Sequence, residues 1–230
     1  MINPVLLPET ETRLRSLVEK MLEVNKTMNL TAIRDPNDAW NKHILDSLQG
    51  LETGLFDENQ SVVDVGTGAG FPGLPLAIAV KGMRVSLMDA TGKKCRYLAQ
   101  MNEDFGLKGE VINLRAEEAG HDPKYRQKFD IATARAVGGF VEVAEYCLPL
   151  VKLGGHVVLW RGKDAEIEAR NSEEALDELG GFLKDIVSYQ IPGHDMTYYL
   201  VSIEKQNSTP RNYPRSSGLP KKKPLDQILY

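Results

Sequence analysis

From Glu9 to Met28, apolar residues recur every three to four positions. Leu14, Leu17, Val18, Met21 and Leu22 form one stripe with charged residues between them. That period predicts an amphipathic helix, and each side chain of the stripe contributes about 1.5–3 kcal/mol once fully buried. A second helix is expected from Asp35-Pro36, where Asp can cap and Pro suits the first turn, as far as Leu51, burying Trp40, Ile44, Leu45 and Leu48. Beyond residue 60 the pattern changes. Strands are expected at 61–65, 84–88, 109–114, 129–133, 155–160, 183–191 and 197–205, and helices at 73–80, 92–105, 141–150 and 164–179.

The first five strands alternate with helices or loops long enough for crossovers, which implies a parallel, doubly wound sheet. The last two flank Pro192-Gly193-His194-Asp195, a short turn, so they should pair as an antiparallel hairpin. Five parallel strands closed by a hairpin is the order of the methyltransferase variant of the Rossmann sheet. The expected fold class is therefore α/β, a Rossmann-like sheet with a C-terminal antiparallel hairpin and an N-terminal helical extension. Three segments follow: a helical extension at 1–55, the Rossmann-like domain at 56–206, and a basic segment at 207–230 packed on or flanking it. Residues 206–224, rich in Pro, Arg, Lys, Ser and Asn, read as irregular with little core of their own.

Charge modifies this picture at one place. Net charge is −4, yet Lys205 to Tyr230 holds six basic residues against Asp226 alone, +5, which leaves −9 on residues 1–204. A basic tail on an acidic body points to an anionic partner, with a merely solvated tail as the alternative. The start, Met-Ile-Asn-Pro-Val-Leu-Leu-Pro-Glu, lacks the basic and apolar regions of a signal peptide. No apolar run approaches the roughly 18 residues of a membrane span. Cys95 and Cys147 have no C-x-x-C spacing, which argues against a disulfide framework or a zinc site. The expected compartment is the cytoplasm, with no membrane partner and no metal.

The chemistry concentrates at 61–73. Val62 to Val65 is a buried-strand pattern that breaks into Gly66, Gly68 and Gly70 before Pro72 opens an apolar helix. Glycine lets the main chain turn at positive φ and lets a ligand approach it closely, and a helix start offers unpaired N–H groups. Gly68-x-Gly70-x-x-Gly73 satisfies the dinucleotide fingerprint, a generic signal by itself. Asp64 separates the candidates, because a carboxylate near the cofactor suits the ammonium and sulfonium charges of S-adenosylmethionine and repels a pyrophosphate. Asp89 ends the second strand, where an acid takes ribose hydroxyls. Strand-end turn hydrogen bonds are the plainer role for both acids. A dehydrogenase would also need a substrate domain. S-adenosylmethionine is favoured over NAD.

Specific motifs follow in order: Asn25-Lys-Thr-Met-Asn-Leu-Thr-Ala-Ile-Arg-Asp-Pro36, His43-Ile-Leu-Asp-Ser-Leu48, Asp64-Val-Gly-Thr-Gly-Ala-Gly-Phe-Pro-Gly-Leu-Pro75, Gly92-Lys-Lys-Cys-Arg-Tyr-Leu98, Arg115-Ala-Glu-Glu118, Ala134-Arg-Ala136, Tyr213-Pro-Arg215 and Lys222-Lys-Pro-Leu225. Together they closely resemble the RsmG (GidB) family, over nearly the whole chain. One position departs: Val24 stands where the family has Trp. The resemblance implies a bacterial methyltransferase that moves a methyl group from S-adenosylmethionine to N7 of one guanine in 16S ribosomal RNA, with that RNA or the small ribosomal subunit as partner. It implies cofactor contacts at Gly66, Phe71, Ala116, Glu117 and Arg135, beside Asp64 and Gly68 at the glycine turn and Asp89 at the end of the second strand. A first-turn acid favoured by the helix dipole is the alternative for Glu117. A monomer is expected.

Guanine N7 bears a lone pair and no proton at neutral pH, so its methylation needs no general base. His43, His121, His156 and His194 are scattered and read as structural. Orientation alone supplies about 7–11 kcal/mol in well-placed reactions. Arg135 is the candidate catalytic residue, placed to meet guanine O6, a phosphate or the methionine carboxylate; a surface ion pair is its alternative. Its replacement by alanine is expected to cost at least about tenfold in transfer with folding intact. Lys93 and Lys94 open a helix against its macrodipole, which suits an RNA phosphate or a solvated face. Arg211, Arg215, Lys221, Lys222 and Lys223 are the clearer RNA candidates, with Tyr213 available to stack on a base. Phe71, Tyr198 and Tyr199 are given no RNA role. The competing functions are a non-catalytic cofactor-binding factor in ribosome assembly and a methyltransferase acting on a small molecule or protein.

Overall fold

A computed structural model of the chain describes residues 6–227. The leader reading at 1–5 and the last three residues of the basic segment lie outside the described residues. Helix α1 (Pro8–Met28) forms where the apolar period places it, with Pro8, Glu9 and Glu11 in its first turn. It stops at Asn29, which takes a left-handed φ of 52°. Buried Asn25 explains part of the motif that follows. Its amide donates to the carbonyls of Thr31 and Ile33 and its oxygen accepts from Thr31 N, all at 3.0–3.1 Å, and so folds the next loop back on the helix.

The second helix is not regular. The run 36–53, called α2, starts as Pro36–Ala39 with Asp35 accepting from the amides of Asn37 and Asp38. It widens to a π-helical turn at Trp40–Leu45, narrows at Asp46–Leu48 and ends as 3-10 at Gln49–Thr53. A π turn inserts an extra residue and rotates the side chains that follow, a departure that recurs at functional sites. Here it turns His43, Ile44, Leu45 and Asp46 inward together.

The rest alternates in the expected order, with two short helices, α5 and α9, that the pattern did not show: β1 (Ser61–Val65), α3 (Gly73–Ala79), β2 (Arg84–Met88), α4 (Gly92–Asp104), β3 (Val111–Ile112), α5 (Ala116–Ala119), β4 (Phe129–Arg135), α6 (Phe140–Cys147), β5 (Val151–Arg161), α7 (Ala165–Arg170), α8 (Glu173–Glu178), β6 (Gly181–Gln190), β7 (Thr197–Lys205) and α9 (Leu219–Lys222). One sheet of order β3-β2-β1-β4-β5-β7-β6 holds all seven strands. Strands β1 to β5 are parallel, and β7 pairs antiparallel with both β5 and β6.

Three elements differ most from the sequence pattern. Strand β3 keeps only two residues, because the expected run is interrupted at Gly109, whose φ of 152° brings the main chain so close to β2 that a Cβ would lie 2.0 Å from Val85 O. Strand β5 begins at Val151, paired with Phe129, and slips register before His156 meets Ile131. The expected helix at 164–179 breaks at Asn171-Ser172, where the Ser172 hydroxyl donates to Glu168 O at 2.6 Å in the competing local bond that Ser makes readily.

The N-terminal helices share a core with the sheet: Leu14, Leu17, Met21, Ile44 and Leu48 pack in one cluster with Val62, Leu74, Val158 and Leu200. The C-terminal segment is irregular apart from α9 and a 3-10 turn at Leu225–Gln227, but it is docked. Arg126 donates to the carbonyls of Gly120, Thr209, Pro210 and Tyr213 at 2.6–3.1 Å. Tyr213 and Leu225 enter the core.

Beneath this segment Lys205 is fully buried, donating to Leu148 O at 2.6 Å and to the Thr209 hydroxyl. Burial brings its ammonium down to about 7, and the nearby Arg126 acts in the same direction. An unfolded lysine keeps its proton to about pH 10.4, so between those values the unfolded state binds more protons and stability rises with pH. Relative to Lys205→Met, the wild-type unfolding free energy should therefore grow between pH 7 and about 9 in urea titrations. A constant difference would show that Lys205 stays charged.

Candidate functional site

The glycine turn is held from below and from the side. Asp64 has no exposed surface and accepts from Thr67 Oγ1 at 2.5 Å, Gly73 N at 2.9 Å and Thr133 Oγ1 at 2.9 Å. Burial pushes its carboxyl up to about 6 against those hydrogen bonds. This corrects the expectation that Asp64 faces a ligand: it is sealed beneath the turn and is not part of the lining of the hollow above. Gly73 is needed for close packing, since a Cβ there would lie 2.5 Å from Leu87 Cδ2 and 2.9 Å from Asp64 Oδ2. Gly66 and Gly68 take φ of 67° and 61°, which only glycine adopts freely.

Above the turn lies a hollow of about 270 Å³ lined by Gly66, Asp89, Ala116, Glu117, Val137 and Lys221, among others, close to the lower end of small-ligand sites at about 300 Å³. Asp89 accepts from Gly68 N at 3.2 Å and Thr91 N at 2.8 Å, and Lys94 Nζ approaches it to 3.5 Å. A carboxylate offers about four acceptor positions, so capacity remains for a ligand hydroxyl. Glu117 sits in the first turn of α5 and accepts from Gly218 N at 3.0 Å. The C-terminal segment thus forms one wall of the hollow, through Gly218 and Lys221. With Glu142 also in the lining, acids outnumber bases, a setting that favours a cationic guest.

A second hollow, about 390 Å³, adjoins it on the other side of the 135–137 turn. Arg135 and Ala136 line this one, whereas Val137 lines the first. Between them Ala136 takes a left-handed φ of 56°. Lys42, His43, Asp46, Trp160, Arg161, Tyr189 and Tyr198 complete the walls. Arg135 Nη1 donates to Asp46 Oδ2 at 2.6 Å and to Lys42 O at 3.0 Å, and Nη2 lies 3.4 Å from His43 Nδ1. The surface ion pair considered for Arg135 is therefore a largely buried one. Burial, then Arg135 and Lys42, lowers His43 to about 3, so its ring is neutral. The ring stacks on Phe71 with centroids 4.5 Å apart. Phe71 is accordingly buried against His43 rather than presented to the smaller hollow, a second correction.

The RNA candidates divide. Lys93, Arg211, Lys221, Lys222 and Lys223 are exposed. Lys94 is half-buried and turned toward Asp89. Arg215 is not available to a phosphate: Nε and Nη2 grip Glu145 at 2.6–3.1 Å, and its amide adds a bond of 2.7 Å. Tyr213 is buried with its hydroxyl 3.2 Å from Glu178, which removes it as a base platform. Sequence reading missed Lys42, Asp46, Trp160 and Tyr189 as site residues. The motif His43-Ile-Leu-Asp-Ser-Leu48 is the one signal that could have found Asp46.

Comparison with known proteins bears on what the two hollows serve. Residues 10–196 match a family model described as rRNA small subunit methyltransferase G. A ribosomal RNA small subunit methyltransferase G of Lactobacillus johnsonii is 40% identical over 90% of this chain and 88% of its own length. One of Acetivibrio thermocellus is 43% identical over 88% and 84%. Among solved structures, an rRNA methylase of Streptococcus thermophilus aligns over 70% of this chain and 95% of its own, at 19% identity and a TM-score of 0.51. The branched-chain polyamine synthase of Thermus thermophilus aligns over 90% and 71%, at 16% identity and a TM-score of 0.58. Those two likenesses show the fold.

Proposed function

The chain belongs to the rRNA small subunit methyltransferase G family, and from that premise we propose that the smaller hollow holds S-adenosylmethionine and the larger receives a guanine of 16S ribosomal RNA for methylation at N7. The observation that carries this reading is the adjacency of the two hollows across the 135–137 turn, at the carboxyl ends of the parallel strands where ligands of open α/β sheets bind. When bound, the cofactor supplies a sulfonium methyl group that the N7 lone pair takes up with no proton to remove. The chain therefore needs residues that orient and desolvate. Asp89 lies where ribose hydroxyls are held, Gly66 and the 116–117 amides edge the adenine, and the acidic lining matches the cofactor's positive charges. Arg135 offers N–H groups to guanine O6 beside the reacting nitrogen. Trp160 and Tyr189 supply flat apolar walls for a purine.

The decisive experiment incubates the protein with tritiated cofactor and unmodified small subunits, then locates N7-methylguanine by chemical cleavage of the RNA. Cofactor binding without label would favour an assembly factor; label on a small molecule or protein would redirect the substrate. Asp89→Ala should weaken S-adenosylmethionine binding by at least about tenfold in calorimetry, since it loses hydrogen bonds to a buried carboxylate. Unchanged affinity would move the ribose elsewhere.

Lys93, Arg211, Lys221, Lys222 and Lys223 remain the proposed phosphate contacts of a monomer that meets the subunit in the cytoplasm. Replacing Lys221, Lys222 and Lys223 by alanine should flatten the salt dependence of RNA binding, each lost contact removing about 0.7 from the slope of log K against log salt. An unaltered slope would leave these lysines solvated.

A further inference from the structure

We propose that Asp46 is a positioning residue for methyl transfer, acting with His43 to hold the Arg135 guanidinium in one orientation toward the incoming purine. The inference rests on the reading of the larger hollow as the acceptor site. Three remote parts of the chain meet at Asp46: Arg135 from the end of β4 takes Oδ2 at 2.6 Å, Tyr189 from β6 takes Oδ1 at 2.5 Å, and Trp160 Nε1 from β5 donates to its main-chain carbonyl at 2.8 Å. The carboxylate is buried and both its oxygens are engaged. It is therefore turned toward the protein's own arginine.

The arginine is correspondingly fixed along one edge. Both hydrogens of Nη1 are spent on Asp46 and on the Lys42 carbonyl, and Nη2 faces the neutral His43 at Nδ1. His43 is itself braced, with Nε2 3.1 Å from Thr31 Oγ1 and its ring flat against Phe71. The guanidinium lies 5.6 Å from the Phe71 ring centre. Among the described residues, Arg135 Nε has no hydrogen-bond partner. The lateral Nε–H and Nη2–H edge is thus left for a guest, while the end-on edge is occupied. A free arginine side chain samples many rotamers; clamping it beforehand leaves less to be lost when a purine oxygen arrives. The irregular helix supplies the clamp, since the π turn at Trp40–Leu45 brings the Lys42 carbonyl, the His43 ring and the Asp46 carboxylate to one side.

A merely structural ion pair would have the same distances, so the test is a double-mutant cycle on the full-length protein with small subunits as substrate. Asp46→Asn, close in shape and still able to meet Tyr189, should lower single-turnover methyl transfer by about tenfold while S-adenosylmethionine affinity stays within about twofold. In an Arg135→Ala background the same substitution should cost less than about twofold, because its effect runs through the arginine. Tyr189→Phe, which keeps every charge, should reduce kcat by about threefold with KM for subunits unchanged, and should again be silent without Arg135. Wild-type transfer by Asp46→Asn, or an equal loss with and without Arg135, would overturn the proposal alone. Wild-type transfer by Arg135→Ala itself would overturn both this proposal and the acceptor-site reading.

Discussion

Replacing Arg135 by alanine should slow methyl transfer to small subunits by at least about tenfold and, in addition, lower the melting temperature measurably. The second effect departs from the expectation that folding stays intact. Arg135 Nη1 and Asp46 Oδ2 are 2.6 Å apart, with side chains 16% and 8% exposed. Removing one partner of such a pair leaves the other buried and uncompensated, at a cost of about 3–5 kcal/mol. The two effects separate in practice. Thermal melts followed by circular dichroism give the stability loss, and single-turnover assays well below the midpoint give the transfer loss. Arg135→Ala with wild-type transfer would remove the arginine from the chemistry, and an unchanged midpoint would show that Asp46 finds solvent or another donor.

Arg215→Ala is expected to be as damaging, for a reason unrelated to RNA. Glu145 has no exposed side chain, and the guanidinium of Arg215 supplies two of the groups that neutralise it. Truncation leaves only the Arg215 amide on a buried carboxylate, again about 3–5 kcal/mol. The bond also pins the segment whose Gly218 meets Glu117 and whose Lys221 lines the smaller hollow. A loosened segment should therefore weaken S-adenosylmethionine binding as well, read by calorimetry on protein that is still folded. If Arg215 instead served phosphate contacts, the variant would melt as the wild type does and lose affinity for subunits alone. The two outcomes exclude each other.

Apolar period, turn residues and the order of strands and helices were enough for the parallel sheet, its closing hairpin and the glycine turn, because each depends on residues a few positions apart. The same holds for α1 and for β7, whose bounds follow from their own side chains. Strand β3 shrank because the main chain at Gly109 closes directly on Val85 O, an approach set by the neighbouring strand. The straight helix expected at 36–51 became a π-bulged one for a related reason: Asp46 and His43 are drawn toward β4, β5 and β6, which arrive much later in the chain.

The site residues divide along that line. Gly66, Asp89, Ala116 and Glu117 were chosen from the strand ends and motifs that carry them, and the structure brings them to one hollow. Asp64, Tyr213 and Arg215 were chosen by residue type and Phe71 from the resemblance, and here the third dimension changed the answer. A carboxylate near a glycine turn can face a ligand or brace the turn from below, and an arginine in a basic tail can reach phosphate or a buried acid. Sequence spacing fixes the face on which a side chain starts, and that determined the fold, the cofactor turn and the candidate arginine. The partner it meets comes from across the chain: Asp46 is 89 residues from Arg135, Glu145 is 70 from Arg215, and Glu117 is 101 from Gly218. Only packing decides whether a charge at the end of such a span is neutralised by protein or left for a ligand.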